Sequence, residues 1–541
     1  MASEQIILDS LLHLRDGLAV FDRGLVARIL LTLVIFLFAC SAGLFIWSVV
    51  SWFTSPLRRY PGPFLAGFTN LWRYNLARNN RYGTTIKKLH EKYGPVVRIG
   101  PDLLTLDYPE LTKTIYSTDG KWLKSNMYKN NCAVVNGKRT FNMFSTQDPV
   151  EHAHVKRPIV KFYSWSSVLT MEPHIDKVIA DFTQQLDTRF VSPAGGVPPK
   201  DVDLCAWITY ATWDALAEST FSRRYGYLSA GRDFDSTIAA SEVTASYFGT
   251  VGQMPWLDEL LDKNPVKRLG PPYLANFIGI SLENFRARLL QGGEDEKLDR
   301  GGRPDDYLQR FIDAKSTHPE HVTDETVCMY IMINILAGAD TTAITLQAVL
   351  YFVLRHREVW SRLSGEVRRL GLDRDRPVPY SVARGIPYLE ACVKEGMRMN
   401  PVVGMALERY VPEGGLALPD GSVVPPGTKV GMNPYIAGRN KAVYGPDADE
   451  FRPERWMQSD GEDDEAYKER LRRIAASDLS FGGGSRICLG RNLALMEVYK
   501  FLATMVNRYD MELSDPEEEL AVDMGWMLRP KVLSARLTHR T

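Results

Sequence analysis

The chain is poor in the residues that build a covalent or metal-clipped scaffold. Its six cysteines in 541 residues, Cys40, Cys132, Cys205, Cys328, Cys392 and Cys488, lie far apart with no C-x-x-C pair. That spacing argues against a zinc site or a disulfide framework and favours a reducing compartment. An excess of one charge is also missing, since 65 basic residues balance 65 acidic ones; nothing points to a nucleic-acid partner. No internal repeat is present. Gly482 and Gly484 are not followed by a third glycine at position 487, and no strand-helix unit with a downstream acid frames them, so a dinucleotide fingerprint is excluded there. No flavin or NADPH motif occurs elsewhere. What remains is an ordinary globular composition, 45% hydrophobic, long enough for one large core.

One long apolar run stands out. No charge falls between Arg28 and Arg58, and residues 29–53 exceed the ~20 apolar residues that cross a bilayer. Trp47, Trp52 and Phe53 suit an interfacial belt, and Arg58, Arg59, Arg73 and Arg78 follow on the side expected to stay cytoplasmic. Small residues at 39–42 raise a cleaved signal peptide as the competing view, but the apolar run continues past them. Closely spaced prolines at 56, 61 and 63 then stop the helix and stiffen a linker. The organisation expected is an N-terminal segment 1–28, a transmembrane anchor 29–53, a hinge 54–63 and a catalytic domain 64–541. Residues 6–21 carry some helical periodicity, which suits either the membrane surface or a short solvated helix.

Near the C-terminus, residues 481–490 read Phe-Gly-Gly-Gly-Ser-Arg-Ile-Cys-Leu-Gly. A thiolate bound to haem iron pushes electron density to the opposite face and favours dioxygen cleavage, which selects cysteine over histidine. Gly484 and Gly490 would let the backbone turn closely around Cys488, having no Cβ to strike a porphyrin. Arg486 supplies a fixed cation suited to a propionate, and Phe481 can shield the sulfur from water. The bland alternative is a glycine-rich turn beside a structural cysteine. Five matched positions favour the chemical reading. The segment resembles the haem-binding signature of the cytochrome P-450 family, Phe-x-x-Gly-x-Arg-x-Cys-x-Gly, without departure. That resemblance implies haem b with Cys488 as the axial thiolate and metal ligand.

The strongest helical pattern starts at Thr323 or Asp324, either a good N-cap, and runs toward Arg355. It is apolar nearly all round, as an interior helix is. Within it Ala337-Gly338-Ala339-Asp340-Thr341-Thr342 places an acid and hydroxyls beside a helix-weakening glycine, whose local distortion would make room for a diatomic. An acid-alcohol pair can relay protons. Alternatively, Thr341 bonds back to a carbonyl one turn earlier while Asp340 pairs with a cation. The segment resembles the family's dioxygen-activating motif, with Asp340 and Thr341 as acid and alcohol. Relatives that only rearrange peroxides often lack that pair.

Glu395 and Arg398 share one helix face and resemble the family's Glu-x-x-Arg, and Arg455 in Phe-Arg-Pro-Glu-Arg matches the arginine that completes a buried structural network with them. The segment 152–157 resembles the family's propionate-contacting helix, with His152 at its start and either Lys156 or Arg157 reaching the haem; Arg409 matches the arginine on the second propionate. A zinc reading of His152 and His154 lacks further ligands. Family position also nominates 127–144, 241–248, 333–337, 402–405 and 526–528 as substrate lining, mostly apolar and hence suited to a lipophilic substrate. The blocks 141–146 and 161–164 resemble fungal pisatin-demethylase-like members, which suggests secondary metabolism. Residues 291–306 and 459–469 read as surface loops, and 96–106, 417–424 and 532–537 as strands.

The resemblance implies a mainly α fold with small peripheral β-sheets behind one transmembrane helix. It implies an endoplasmic reticulum protein, single-pass, with its catalytic domain facing the cytosol. Dioxygen is the co-substrate, and electrons come from NADPH through NADPH-cytochrome P-450 reductase, with cytochrome b5 as a second candidate donor. The alternatives are a haem-thiolate isomerase or dehydratase without a reductase, and a non-catalytic membrane haem-binding protein.

Overall fold

A 32-residue helix, Asp324–Arg355, is the axis on which the other helices pack. The computed structural model describes residues 23–135, 137–191, 200–270, 274–295 and 305–540. At ~1.5 Å per residue the axis runs about 48 Å. Its start is set as the sequence predicts, with the Thr323 hydroxyl accepting from the Thr326 N–H at 3.3 Å. The helices Leu204–Phe221, Ala275–Asp295, Pro387–Met399 and Arg491–Arg508 pack against it. Leu204–Phe221 is buried almost throughout, and its buried acid Asp214 is satisfied by the Gly226, Tyr227 and Leu228 N–H groups.

The sheets are small and peripheral. Val96–Gly100, Leu103–Leu106, Lys429–Met432 and Arg409–Tyr410 form a four-stranded sheet in that order, in which only the Leu103–Leu106 and Lys429–Met432 pair is parallel. Tyr509–Leu513, Ser534–His539 and Val202–Asp203 form a second sheet. The three predicted strand regions all carry strands. The hairpin Cys132–Val135 with Lys138–Phe141 adds one that the pattern did not announce.

The apolar run becomes the helix Arg23–Thr54. Its stretch Ala27–Thr54 has mean hydropathy 2.7, is long and apolar enough to cross a membrane, and buries none of it in protein. Thr32, Ser41 and Thr54 bond their hydroxyls back within the helix, to Arg28 O, Leu37 O and Val50 O, as donors in an apolar setting must. The linker is docked. Ser55 caps the turn Pro56–Arg59, Leu57 and Tyr60 are buried, and Arg98 donates to Ser55 Oγ at 3.2 Å. Residues 6–21 lie outside the described residues.

Arg73, one of the basic residues that follow the span, is 1% exposed and donates to Gln253 Oε1 at 2.9 Å and Glu408 Oε1 at 3.2 Å. Two expectations need correction. Residues 459–469 are not all loop, because Asp463 accepts from the Glu465 and Ala466 N–H groups and starts the helix Asp464–Ser477. Acid at a helix N-terminus is favoured by the macrodipole, so these charges cap rather than dangle. In 291–306, the first residues continue the helix Ala275–Asp295, and Asp306 is a buried cap that pairs with Arg288 at 2.6 Å.

Glu395 lies at the centre of a buried ionic network. Arg398 Nε and Nη2 donate to its two oxygens at 2.8 and 2.7 Å, Arg455 Nε at 3.3 Å, Trp456 Nε1 at 2.8 Å and Arg452 N at 2.8 Å. Glu395, Arg398 and Arg455 are each at most 3% exposed. Breaking a buried pair costs about 3–5 kcal/mol because a charge is left uncompensated. Glu395→Gln should therefore unfold at markedly lower denaturant concentration than the parent. A loss under about 1 kcal/mol, the scale of an exposed pair, would show that the network does not secure this region.

Candidate active site

Cys488 closes the loop that the sequence marks. Its N–H donates to Phe481 O at 2.9 Å, Gly482 N donates to Leu479 O at 2.9 Å, and Ile487 N to Gly484 O at 3.2 Å. Gly482 and Gly484 have φ of +72° and +61°, a region that glycine alone occupies freely. A Cβ on Gly484 would stand 2.1 Å from Tyr116 O. Gly490 differs from expectation: its φ is −80°, it caps the helix Arg491–Arg508, and a Cβ there meets no protein atom within 4 Å. The positive-φ role belongs to Gly482 instead. The Gly490 and Arg491 backbone N–H groups point at the sulfur. The Cys488 side chain is reachable, yet protein surrounds it densely enough that burial raises its thiol; the two amides, Arg491 and Lys156 oppose that rise. Phe481 is half-buried beside it.

Four cations gather around this loop. Arg409 is 5% exposed and Arg486 half-buried, while Lys124 is buried and Lys156 half-buried. Among the described residues, no carboxylate forms an ion pair with any of the four. Arg486 makes only long contacts of 3.3–3.5 Å to the Gln147, Met143 and Asp148 carbonyls. Lys156 Nζ donates to Ser485 O at 3.0 Å and Lys124 Nζ to Phe144 O at 2.7 Å. Arg409 donates to Glu408 O and lies over the Tyr116 ring. Glu408, the nearest carboxylate in sequence, is taken by Arg73.

The crowding has a cost that shows in the titration of Arg486, Lys156, Lys124 and His152. Burial and then Arg409 depress Arg486 to about 10; burial and then Arg486 lower Lys156. Lys124 is driven well below the usual lysine range by burial, Arg409 and Arg486. His152, buried among them, falls to about 3 by burial first and then the charges of Arg486, Lys156 and Lys124. Unneutralised buried cations are unfavourable without an anion. A haem with two propionates, held at Cys488, fits this donor set. Arg157 is exposed, so Lys156 is the one of the two that reaches the cysteine loop.

On the long helix, Thr341 is half-buried beside the exposed Ala337, to whose carbonyl its hydroxyl donates at 2.7 Å. Asp340 is 1% exposed and accepts three bonds: Trp213 Nε1 at 2.9 Å, Ser241 Oγ at 2.8 Å and Arg529 Nη2 at 2.8 Å. The bland features thus coexist with the motif. Gly338 has a packing reason, since a Cβ would meet Leu216 Cδ1 at 2.7 Å; the long helix stays regular through this glycine.

Four of the five nominated lining segments converge. Tyr128, Phe144, Phe248 and Trp526 form an aromatic cluster, with Phe248 and Trp526 ring centroids 4.8 Å apart. Gly404 N donates to Trp526 O and Leu528 N to Val402 O, both at 2.9 Å. The fifth, 333–337, lies on the long helix. Sequence reasoning missed Lys124 and Glu497. Glu497, fully enclosed and bonded to Thr342, is pushed up to about 8 by burial. An acid inside the apolar run that follows Cys488 was a visible signal; Lys124 offered none, because only the fold brings it to the cluster.

Comparison with known proteins agrees with this geometry. Residues 61–535 match the family described as Cytochrome P-450. The chain is 43% identical over 495 residues to the cytochrome P-450 monooxygenase cfoH of Aspergillus candidus, covering 92% of this chain and 90% of that one. It is 33% identical to cicH of Emericella nidulans, over 90% and 94% of the two chains, and 34% identical to a cytochrome P-450 monooxygenase of Aspergillus terreus, over 86% and 92%.

The two glycines of the loop give a contrast. Gly484→Ala adds a clash with Tyr116 O to the ~1–2 kcal/mol cost of a left-handed backbone, and should lower both melting temperature and haem content. Gly490→Ala should fold like the parent. Equal melting of the two variants would mean that the loop gives way at 484.

Proposed function

The chain belongs to the cytochrome P-450 family, and we propose that it acts as a membrane-anchored haem-thiolate monooxygenase on a lipophilic small molecule. Its electrons come from NADPH through a separate NADPH-cytochrome P-450 reductase, with cytochrome b5 as a further donor. The observation that carries this reading is Cys488, held under two backbone amides within a cluster of cations that have no carboxylate partners among the described residues. When bound, the haem supplies two-electron activation of dioxygen, with one oxygen atom passing to the substrate and the other leaving as water.

The protein's part divides in three. At the cysteine, the Gly490 and Arg491 amides and the charges of Lys156 and Arg491 offset burial and favour the thiolate. Around the rim, Arg486, Arg409, Lys124 and Lys156 hold the propionates, with neutral His152 packed among them. On the long helix, the Thr341 oxygen keeps lone pairs free while its proton rests on Ala337 O, so it can hold a proton or a water on the open side. Asp340, one residue back, is the acid that feeds it. The apolar segments that meet around Phe248 and Trp526 exclude water and suit a lipophilic substrate.

The electron donor is a separate protein because the sequence contains no nucleotide fingerprint. Exposed Arg157 and Lys161 suit its docking. The anchor helix with Arg58 and Arg59 beyond it supports a single-pass endoplasmic reticulum protein facing the cytosol. The similarity to fungal proteins supports a place in secondary metabolism.

Cys488→Ala should lose the red-shifted Soret band of the carbon monoxide complex after dithionite reduction; a retained band would remove the ligand assignment. Proton transfer by a positioned group contributes about 10²–10⁴-fold. Thr341→Ala, reconstituted with reductase, should therefore keep haem yet release most NADPH electrons as peroxide. Unchanged coupling would place the proton on another group. A product that takes no label from isotopic dioxygen would favour the isomerase reading.

A further inference from the structure

Three elements distant in sequence converge on the Asp340 carboxylate. Trp213 comes from the helix Leu204–Phe221, Ser241 from the helix Thr237–Val251 and Arg529 from the strand Leu528–Pro530. Both carboxylate oxygens are engaged, and none of the three donors is Thr341. Arg529 is shared: its Nη2 meets Asp340 Oδ2 at 2.8 Å and its Nη1 meets Glu242 Oε1 at 3.0 Å. The Glu242 side chain is 49% exposed, so the link runs from solvent to the buried acid. Burial raises Glu242, Arg529 opposes it, and Asp340, Asp523 and Asp233 add to it.

We infer that Arg529 is a positioning residue for Asp340. With Ser241, it ties the carboxylate to the helix Thr237–Val251 and holds it away from Thr341. This inference rests on the reading of Asp340 and Thr341 as the acid-alcohol pair. The tied helix carries Ser241 and Glu242 about two turns before Phe248, which packs on Trp526 three residues ahead of Arg529. One helix and one strand segment thus contribute both to the apolar cluster and to the hold on the acid. A molecule that displaces Phe248 or Trp526 loosens Asp340 by the same movement, so proton supply follows occupancy of the apolar site. Arg529 cannot itself pass the proton, because guanidinium stays charged; it sets when Asp340 can.

Carbon monoxide is the probe, used on the reduced holoenzyme, since its stretching frequency reports the field on the side facing Thr341 without any turnover. Arg529→Met should shift or split the band, Arg529→Lys should restore it, and the Met effect should vanish in an Asp340→Asn background. Hydrogen exchange in the helix Thr237–Val251 should rise in Arg529→Met. A band in Arg529→Met identical to the parent's, or a shift that persists with Asp340→Asn, overturns the inference. Where Arg529→Met fails to retain haem, Ser241→Ala and Glu242→Gln cut the same link at its other contacts; unchanged exchange and band in both overturn it equally. A parent protein lacking the thiolate-type carbon monoxide spectrum overturns the haem reading instead.

Discussion

Holding a cysteine sulfur as an anion within protein is the constraint to which the rest of this structure answers. Burial alone pushes the Cys488 thiol up, toward the neutral form that binds metal poorly. The chain counters with the start of an 18-residue helix, Arg491–Arg508, whose first amides point at the sulfur and whose dipole favours negative charge there. The loop must then be tight enough to keep those amides in place. Gly482 and Gly484 provide the two left-handed positions, and Gly484 lies so close to Tyr116 O that no side chain fits.

The same electrostatic logic separates two kinds of buried charge. Around Glu395 every charge is satisfied from within: two arginines, an indole and a backbone amide bind one carboxylate, and Arg398 spends its remaining donors on the Gly438, Ala448 and Glu450 carbonyls. That set is complete without any ligand and is a structural element. Around Cys488 the charges are left open. Arg73 pairs with Glu408, the acid next to Arg409 in sequence, and among the described residues no other acid pairs with Arg409. Stability is surrendered locally so that an anionic group can supply what is missing.

Much of this was legible in the sequence where the determinants are local. The loop 481–490 and the Glu395 and Arg398 pair are set by spacing within one turn or one helix, and the anchor by a run of uncharged residues. What could not be read comes from long-range approach. Asp340 meets Trp213, Ser241 and Arg529 across 127, 99 and 189 residues, and no pattern in one segment encodes such a meeting. Lys124 looks like a surface lysine until the bridge to Arg409 carries it inward. At Gly490 only the backbone differs: its φ of −80° is open to any residue, so the left-handed turn there falls to Gly482 instead. The acidic stretch misread as loop shows that charge next to a helix start signals capping as readily as exposure.

The two sides of the cysteine site hold their charges differently. Facing the loop, four cations have no carboxylate partner among the described residues, and Arg486 reaches its carbonyls at 3.3–3.5 Å. On the long helix, both Asp340 oxygens already accept from protein donors, in three bonds of 2.8–2.9 Å. A site waiting for a ligand leaves its recognition groups unpaired, because pairing them internally would have to be undone on binding. A group that acts only at one moment of a cycle is better held paired until then, because an unpaired buried carboxylate costs several kcal/mol throughout. On the proposed reading the open cations serve binding and the closed acid timing, and the difference lies in whether the fold supplies the counter-charge or leaves it to the ligand.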